Sequence, residues 1–126
     1  MKREMRLEIF EKELAQLLGS ERDGDYVVFF DLADTDRHVQ FFRQEGAIFV
    51  EVSGARRGAA TALGCVGFSA CEAGAFSRAD APQDARKLAC LAELVFGAAY
   101  GPTEGVTVVT VSRTEREAQW RKELEA

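Results

Sequence analysis

The sequence predicts an α+β two-layer sandwich. Its antiparallel sheet carries an N-terminal helix, a long helix after three strands, a further strand and a C-terminal helix. Three observations lead there. Strand-forming segments are grouped at 26–32, 37–43 and 47–53 instead of alternating with helices. A long segment with an apolar face at helical spacing follows them at 80–100. Between these, the run RHVQFFRQEGAIFVEVS (37–53) alternates strictly enough to sort its side chains onto two unlike faces of a hairpin.

Residues 2–18 read as an amphipathic helix. Leu7, Phe10, Leu14 and Leu17 recur at three- and four-residue steps, with Leu18 widening the stripe and Glu4, Glu8, Glu11, Lys12 and Glu13 lying off it. Gly19-Ser20 ends it. YVVFFDL (26–32) is β-branched, aromatic and almost continuously apolar, so both of its faces are expected to be covered. Ala33–Asp36 reads as a turn.

A two-residue Glu45-Gly46 loop then sets the hairpin register. Gln44 pairs with Ala47, Phe42 with Phe49, Gln40 with Glu51 and His38 with Ser53. Val39, Phe41, Ile48, Val50 and Val52 fall on the opposite, wholly apolar face.

Residues 54–80 are rich in Gly, Ala and Ser. A short helix is expected at Ala59–Leu63, with the remainder a loop that Phe68 and Phe76 pin to the core. The long helix is expected to start with Asp80 as N-cap, Pro82 in the first turn and Gln83 as capping-box partner, and to stop at Gly101-Pro102. Leu88, Leu91, Ala92, Val95 and Ala99 line one face, and Leu94 and Phe96 broaden it. A strand at 105–112 and a charged helix at 114–126, with Trp120 and Leu124 one turn apart, complete the order.

At 126 residues the chain fits one domain, 1–126, with enough length for a core that needs no metal or disulfide. A net charge of -5 opposes nucleic-acid binding, which draws on clustered basic surface. The N-terminus lacks the apolar stretch of a signal peptide, and no run approaches the about 20 apolar residues of a membrane span. A cytoplasmic protein with reduced thiols is the expectation, and Cys65, Cys71 and Cys90 are read as buried and inert.

No motif states a catalytic activity. Cys65, Cys71, Cys90 and His38 lack the tight spacing of a zinc site. Asp34 to Glu45 has the length of a calcium loop, but His38 and Val39 stand where an oxygen ligand and glycine are required. The glycines from Gly54 to Gly67 carry no Lys-Ser or Lys-Thr, so they form no phosphate loop. His38, with Glu51 on the same face to orient it, is the one general-base candidate, and Ser53 beside it lacks the context of a nucleophile. No metal, cofactor, nucleic acid or membrane partner is expected.

The mixed hairpin face is the stronger functional candidate. Gln40, Phe42, Phe49 and Glu51 offer aromatic anchors with polar neighbours, which suits a protein or peptide partner. Trp120 and Leu124 are candidates for dimer or partner packing.

The segments HVQFF and GAIFVEVSG, followed by TALGCVGF, AFSRAD and LACLAELVFGAAYG, resemble the type III secretion chaperone-like and YbjN-like (TY-Chap) peptide-binding domains over about residues 26–112. Val39-Gln40-Phe41, Val50-Glu51-Val52 and Leu63-Gly64 fill the family's positions. His38 stands where an aromatic residue is more usual, and Gly67-Phe68 replaces a Trp-Pro-like step. The resemblance implies a homodimeric, non-enzymatic α+β domain that holds a partner polypeptide, often in bacterial secretion or conflict settings. Alternatives are an acidic immunity or antitoxin-like protein steered to a basic toxin, and a small enzyme using His38 and Glu51.

Overall fold

A computed structural model describes residues 1–20, 22–71 and 74–114. The elements are α1 (Arg3–Gly19), β1 (Tyr26–Asp31), β2 (Asp34–Gln44), β3 (Ala47–Ser53), α2 (Ala60–Cys65), β4 (Ser69–Ala70), β5 (Phe76–Arg78), α3 (Ala85–Tyr100) and β6 (Val108–Arg113). Six strands form one antiparallel sheet in the order β4-β5-β3-β2-β1-β6. The helices α1 and α3 pack on one side of it, giving the α+β sandwich that grouped strands and a following helix predict. The C-terminal helix expected at 114–126, with Trp120 and Leu124, falls outside the described residues beyond Thr114.

The core sits between the sheet and the two helices. Phe10 of α1 meets Phe29 of β1 edge-on at 4.7 Å between ring centroids and Phe96 of α3 at 5.8 Å, while Phe29 meets Phe41 of β2 at 5.9 Å. All four rings are buried. The two T-shaped pairs, Phe10–Phe29 and Phe29–Phe41, add about 0.5–1.5 kcal/mol each beyond the area they bury.

Polar groups fix how the layers dock. Arg6 is buried on α1 and grips Glu93 of α3 with two hydrogen bonds, Nε to Oε2 at 2.9 Å and Nη2 to Oε1 at 2.6 Å. Arg6 Nη2 also donates to Thr103 Oγ1 at 3.1 Å, and Nη1 donates to Met1 O at 2.6 Å. Hydrogen bonding to Glu93 raises the pKa of Arg6 against the opposing effect of burial. Arg43, pointing from β2, donates to the carbonyls of Leu17 and Leu18 and so caps the end of α1. Ser20 Oγ donates to Asp25 Oδ2 and closes the α1–β1 connection.

The hairpin register is the expected one at every pair from His38↔Ser53 to Gln44↔Ala47. Glu45 (φ 53°) and Gly46 (φ 77°) both adopt left-handed backbone, as a two-residue hairpin turn of the I′ type demands. The preceding turn is tighter than the sequence reading: β2 begins at Asp34, not Arg37. There Asp31 Oδ1 accepts from Ala33 N and Asp34 Oδ1 from Asp36 N, so side chains close the bend.

Four expectations are corrected. The long helix starts at Ala85, because Asp84 supplies the N-cap and accepts from Lys87 N at 2.9 Å. Asp80 instead takes φ 54° in the approach, and Pro82 and Gln83 lie outside the helix. The 54–80 segment contains strands β4 and β5 as well as α2, and β5 extends the sheet beyond β3. All three cysteines are exposed, since Cys90 occupies the outer side of α3 and Cys65 and Cys71 flank the short β4 region. Leu94 is 59% exposed on that same outer side, whereas Phe96 is buried.

Candidate functional site

The sheet has two unequal faces. Val27, Phe29, Val39, Phe41, Ile48, Val50 and Val52 point into the core and are buried. Their sequence neighbours Tyr26, Val28, Phe30, His38, Gln40, Phe42 and Phe49 point the other way and are partly exposed. β1 is therefore covered fully on one face only, contrary to its uninterrupted apolarity. Among the described residues, no helix packs on this second face.

Strand register arranges the second face in three rows. One runs Phe49–Phe42–Tyr26–Arg113, the next Ser77–Glu51–Gln40–Val28–Val111, and the third Ser53–His38–Phe30–Val109. Apolar side chains gather over β1 and β6, and polar ones over β3 and β5. At the boundary the rings of Phe42 and Phe49 stack at 5.4 Å with 15° between their planes. Val111 is 50% exposed, and Glu51 is exposed.

Four of the expected site residues, Gln40, Phe42, Phe49 and Glu51, are thus brought together on one open surface. The other two, Trp120 and Leu124, lie beyond the described residues. Sequence reasoning missed Tyr26, Val28, Phe30, Val109 and Val111. The alternation was present in β1, but only its pairing with both β2 and β6 joins these residues to the hairpin's face.

His38 and Glu51 share the face without being direct partners. His38 lies opposite Ser53 and Glu51 opposite Gln40, so the two are diagonal neighbours at about 7–8 Å. The His38 end of the hairpin is tied to α3 through its backbone. Tyr100 Oη lies 2.8 Å from His38 O and 2.6 Å from Ser53 O, so its single proton is shared between two carbonyls. Burial pushes the Tyr100 phenol pKa well above its ordinary range, and Arg37, 6.0 Å from the ring centroid, pulls against that shift. Among the described residues, no group of three His, Cys, Asp or Glu side chains could hold a metal ion.

β6 borders the open face and forms one edge of the sheet. Leu32 N donates to Thr107 O at 2.9 Å, which places the backbone groups of Thr107 on the β1 side. Alternation along the ladder then turns the N–H and C=O of Val108 and Thr110 outward. From Val108 to Ser112 this edge carries no charge and no proline, the residues that blunt edge strands.

No family model, curated protein or solved structure matches this chain. Among the described residues, no helix is long and apolar enough to cross a membrane.

Proposed function

We propose that this protein is a non-enzymatic, chaperone-like module that binds a protein or peptide partner on the open face of its sheet. The observation that carries the reading is the stacked Phe42–Phe49 pair. It lies in a continuous apolar strip that runs through Tyr26, Val28 and Phe30 to Val111. Apolar surface of this kind, rimmed by Gln40, Glu51 and Ser77, has the make-up of an interaction site, with aromatic anchors inside and polar groups around them.

The partner lies across the strip with its own apolar side chains against Phe42, Phe49 and Val111. The outward backbone groups of Val108 and Thr110 offer a second mode, in which an extended segment adds to the sheet. Titrating the isotope-labelled chain with peptides selected on it from a random library tests the assignment. Amide shifts should cluster at 26–30, 38–42, 49–53 and 108–111. Shifts confined to α1 and α3 would remove it.

A further inference from the structure

We propose that the segment 115–126, which follows β6 and lies outside the described residues, docks back across the open sheet face as a displaceable strap, with Trp120 and Leu124 against the Phe42–Phe49 strip. The point where the chain leaves the sheet carries the inference. Arg113, the last residue of β6, ends the row Phe49–Phe42–Tyr26–Arg113 and belongs to the same face. Thr114, the next residue, is completely buried, so the chain is still held against the body of the molecule beyond the last strand residue. To reach β3 from β6 the segment must cross β1 and β2, about 14 Å at the spacing of neighbouring strands. Residues 115–126 span that distance with margin, about 18 Å at the helical rise and more if extended.

Composition and tethering decide the occupant. Trp120 and Leu124 are the large apolar side chains of 115–126, set among charged neighbours and four positions apart, the spacing that shares one side of a helical turn. The strip they cover is aromatic and aliphatic: Phe42 and Phe49 stack at 5.4 Å, and Val111 is 50% exposed. An indole has the flat apolar body that stacked rings accept, and Gln40 and Glu51 at the margin offer acceptors for its N–H. A segment tethered at the border of the strip competes for it at an effective concentration on the order of millimolar. The strap therefore shields apolar surface from weak, non-specific association, and a partner that binds more tightly displaces it. The competition rests on the partner reading above; the docking of the strap does not.

Trp120 is the one tryptophan of the chain, so its fluorescence reports this segment alone. In the full chain its emission should be blue-shifted from that of the urea-unfolded chain, protected from iodide quenching and independent of protein concentration. Val111→Asp should return both emission and quenching to the unfolded values while far-ultraviolet circular dichroism stays native. Trp120→Ser with Leu124→Ser should raise the affinity of a library-selected peptide about tenfold, because the tethered competitor is lost. A native Trp120 as open to iodide as the unfolded one would overturn the proposal. So would protection that vanishes on dilution, which would set the indole against another copy, or protection that survives Val111→Asp, which would set it elsewhere on the chain. A peptide affinity unchanged by the double variant would remove the competition. The fluorescence needs no peptide, so a chain with a shielded Trp120 that captures no peptide would sink the partner reading alone.

Discussion

Phe42 and Phe49 stack across the β2–β3 pair at 5.4 Å, on the sheet face that α1 and α3 leave open. Phe41, one residue away, is buried beneath those helices. Adjacent phenylalanines therefore face opposite ways, one buried in the core and the other partly exposed on the far side of the sheet. Phe41→Ala should cost about 3–5 kcal/mol, the range for a deleted core aromatic. Phe42→Ala should cost about 1 kcal/mol or less, the scale of a cross-strand pair. Urea unfolding of the two variants checks the contrast, and comparable losses would place both rings in the core.

The Arg6–Glu93 pair makes a prediction about docking of α1 on α3. Both side chains are buried, and the carboxylate accepts two hydrogen bonds from the guanidinium. Glu93→Ala leaves a buried cation without its counter-ion and should destabilise the fold by about 3–5 kcal/mol. The double variant Arg6→Met/Glu93→Leu removes both charges and should recover most of that loss. Thermal unfolding measures both, and a double variant as unstable as Glu93→Ala would mean that the pair contributes more than mutual neutralisation.

Tyr100 links α3 to the end of the β2–β3 hairpin, and its phenol carries a pH dependence of definite sign. Burial raises the folded-state pKa above the ordinary phenol value of about 10. The folded chain thus holds this proton more tightly than the unfolded chain. Its contribution to stability is fully present below that ordinary value and declines as pH rises above it. Tyr100→Phe should flatten this alkaline decline and cost about 0.5–1.5 kcal/mol at neutral pH, by removing the hydrogen bond that ties α3 to the His38 and Ser53 carbonyls. Stability measured against pH from neutral to strongly alkaline, for wild type and variant, checks the sign. An identical slope in the two proteins would contradict the assignment.

Gly54 and Gly58 separate backbone strain from steric conflict. Both have positive φ, +70° and +84°. A Cβ at Gly58 meets open space, whereas one at Gly54 would lie 2.3 Å from the carbonyl oxygen of Asp36. Gly58→Ala should cost about 1–2 kcal/mol, the left-handed penalty alone. Gly54→Ala should cost clearly more, because the β2 backbone must move to admit the methyl group. Paired denaturation curves give the difference, and equal costs would show that the Asp36 approach relaxes freely.

Much of the hairpin was legible in the sequence because its period is two and its turn is a residue pair with one strong preference. Val39, Phe41, Val50 and Val52 could go to one face only, and Glu45-Gly46 then set the register. The N-cap of α3 was misplaced because Asp80 and Asp84 both precede the apolar run. Only the left-handed backbone at Asp80 separates them. Strands β4 and β5 span two and three residues, too short to show alternation, and their pairing with β3 is a tertiary event. The outer side of α3 was misjudged for a related reason. Leu94 and Cys90 look like core by residue type, and only the position of α1 shows which side of the helix is left outside. Half of the open face was hidden likewise, since neither β1 nor β6 discloses its neighbours.

The central claim is that the Phe42–Phe49 face receives a polypeptide while the opposite face carries the fold. The most direct test is the affinity of one library-selected peptide for wild type and Phe42→Asp, measured beside the unfolding free energy of the same two proteins. The predicted result is a loss of about 2 kcal/mol or more in binding, roughly thirtyfold in affinity, in a variant that still unfolds cooperatively with near wild-type stability. Undiminished binding by a folded Phe42→Asp would contradict the claim. A variant that cannot fold would contradict it equally, by showing that the ring belongs to the core.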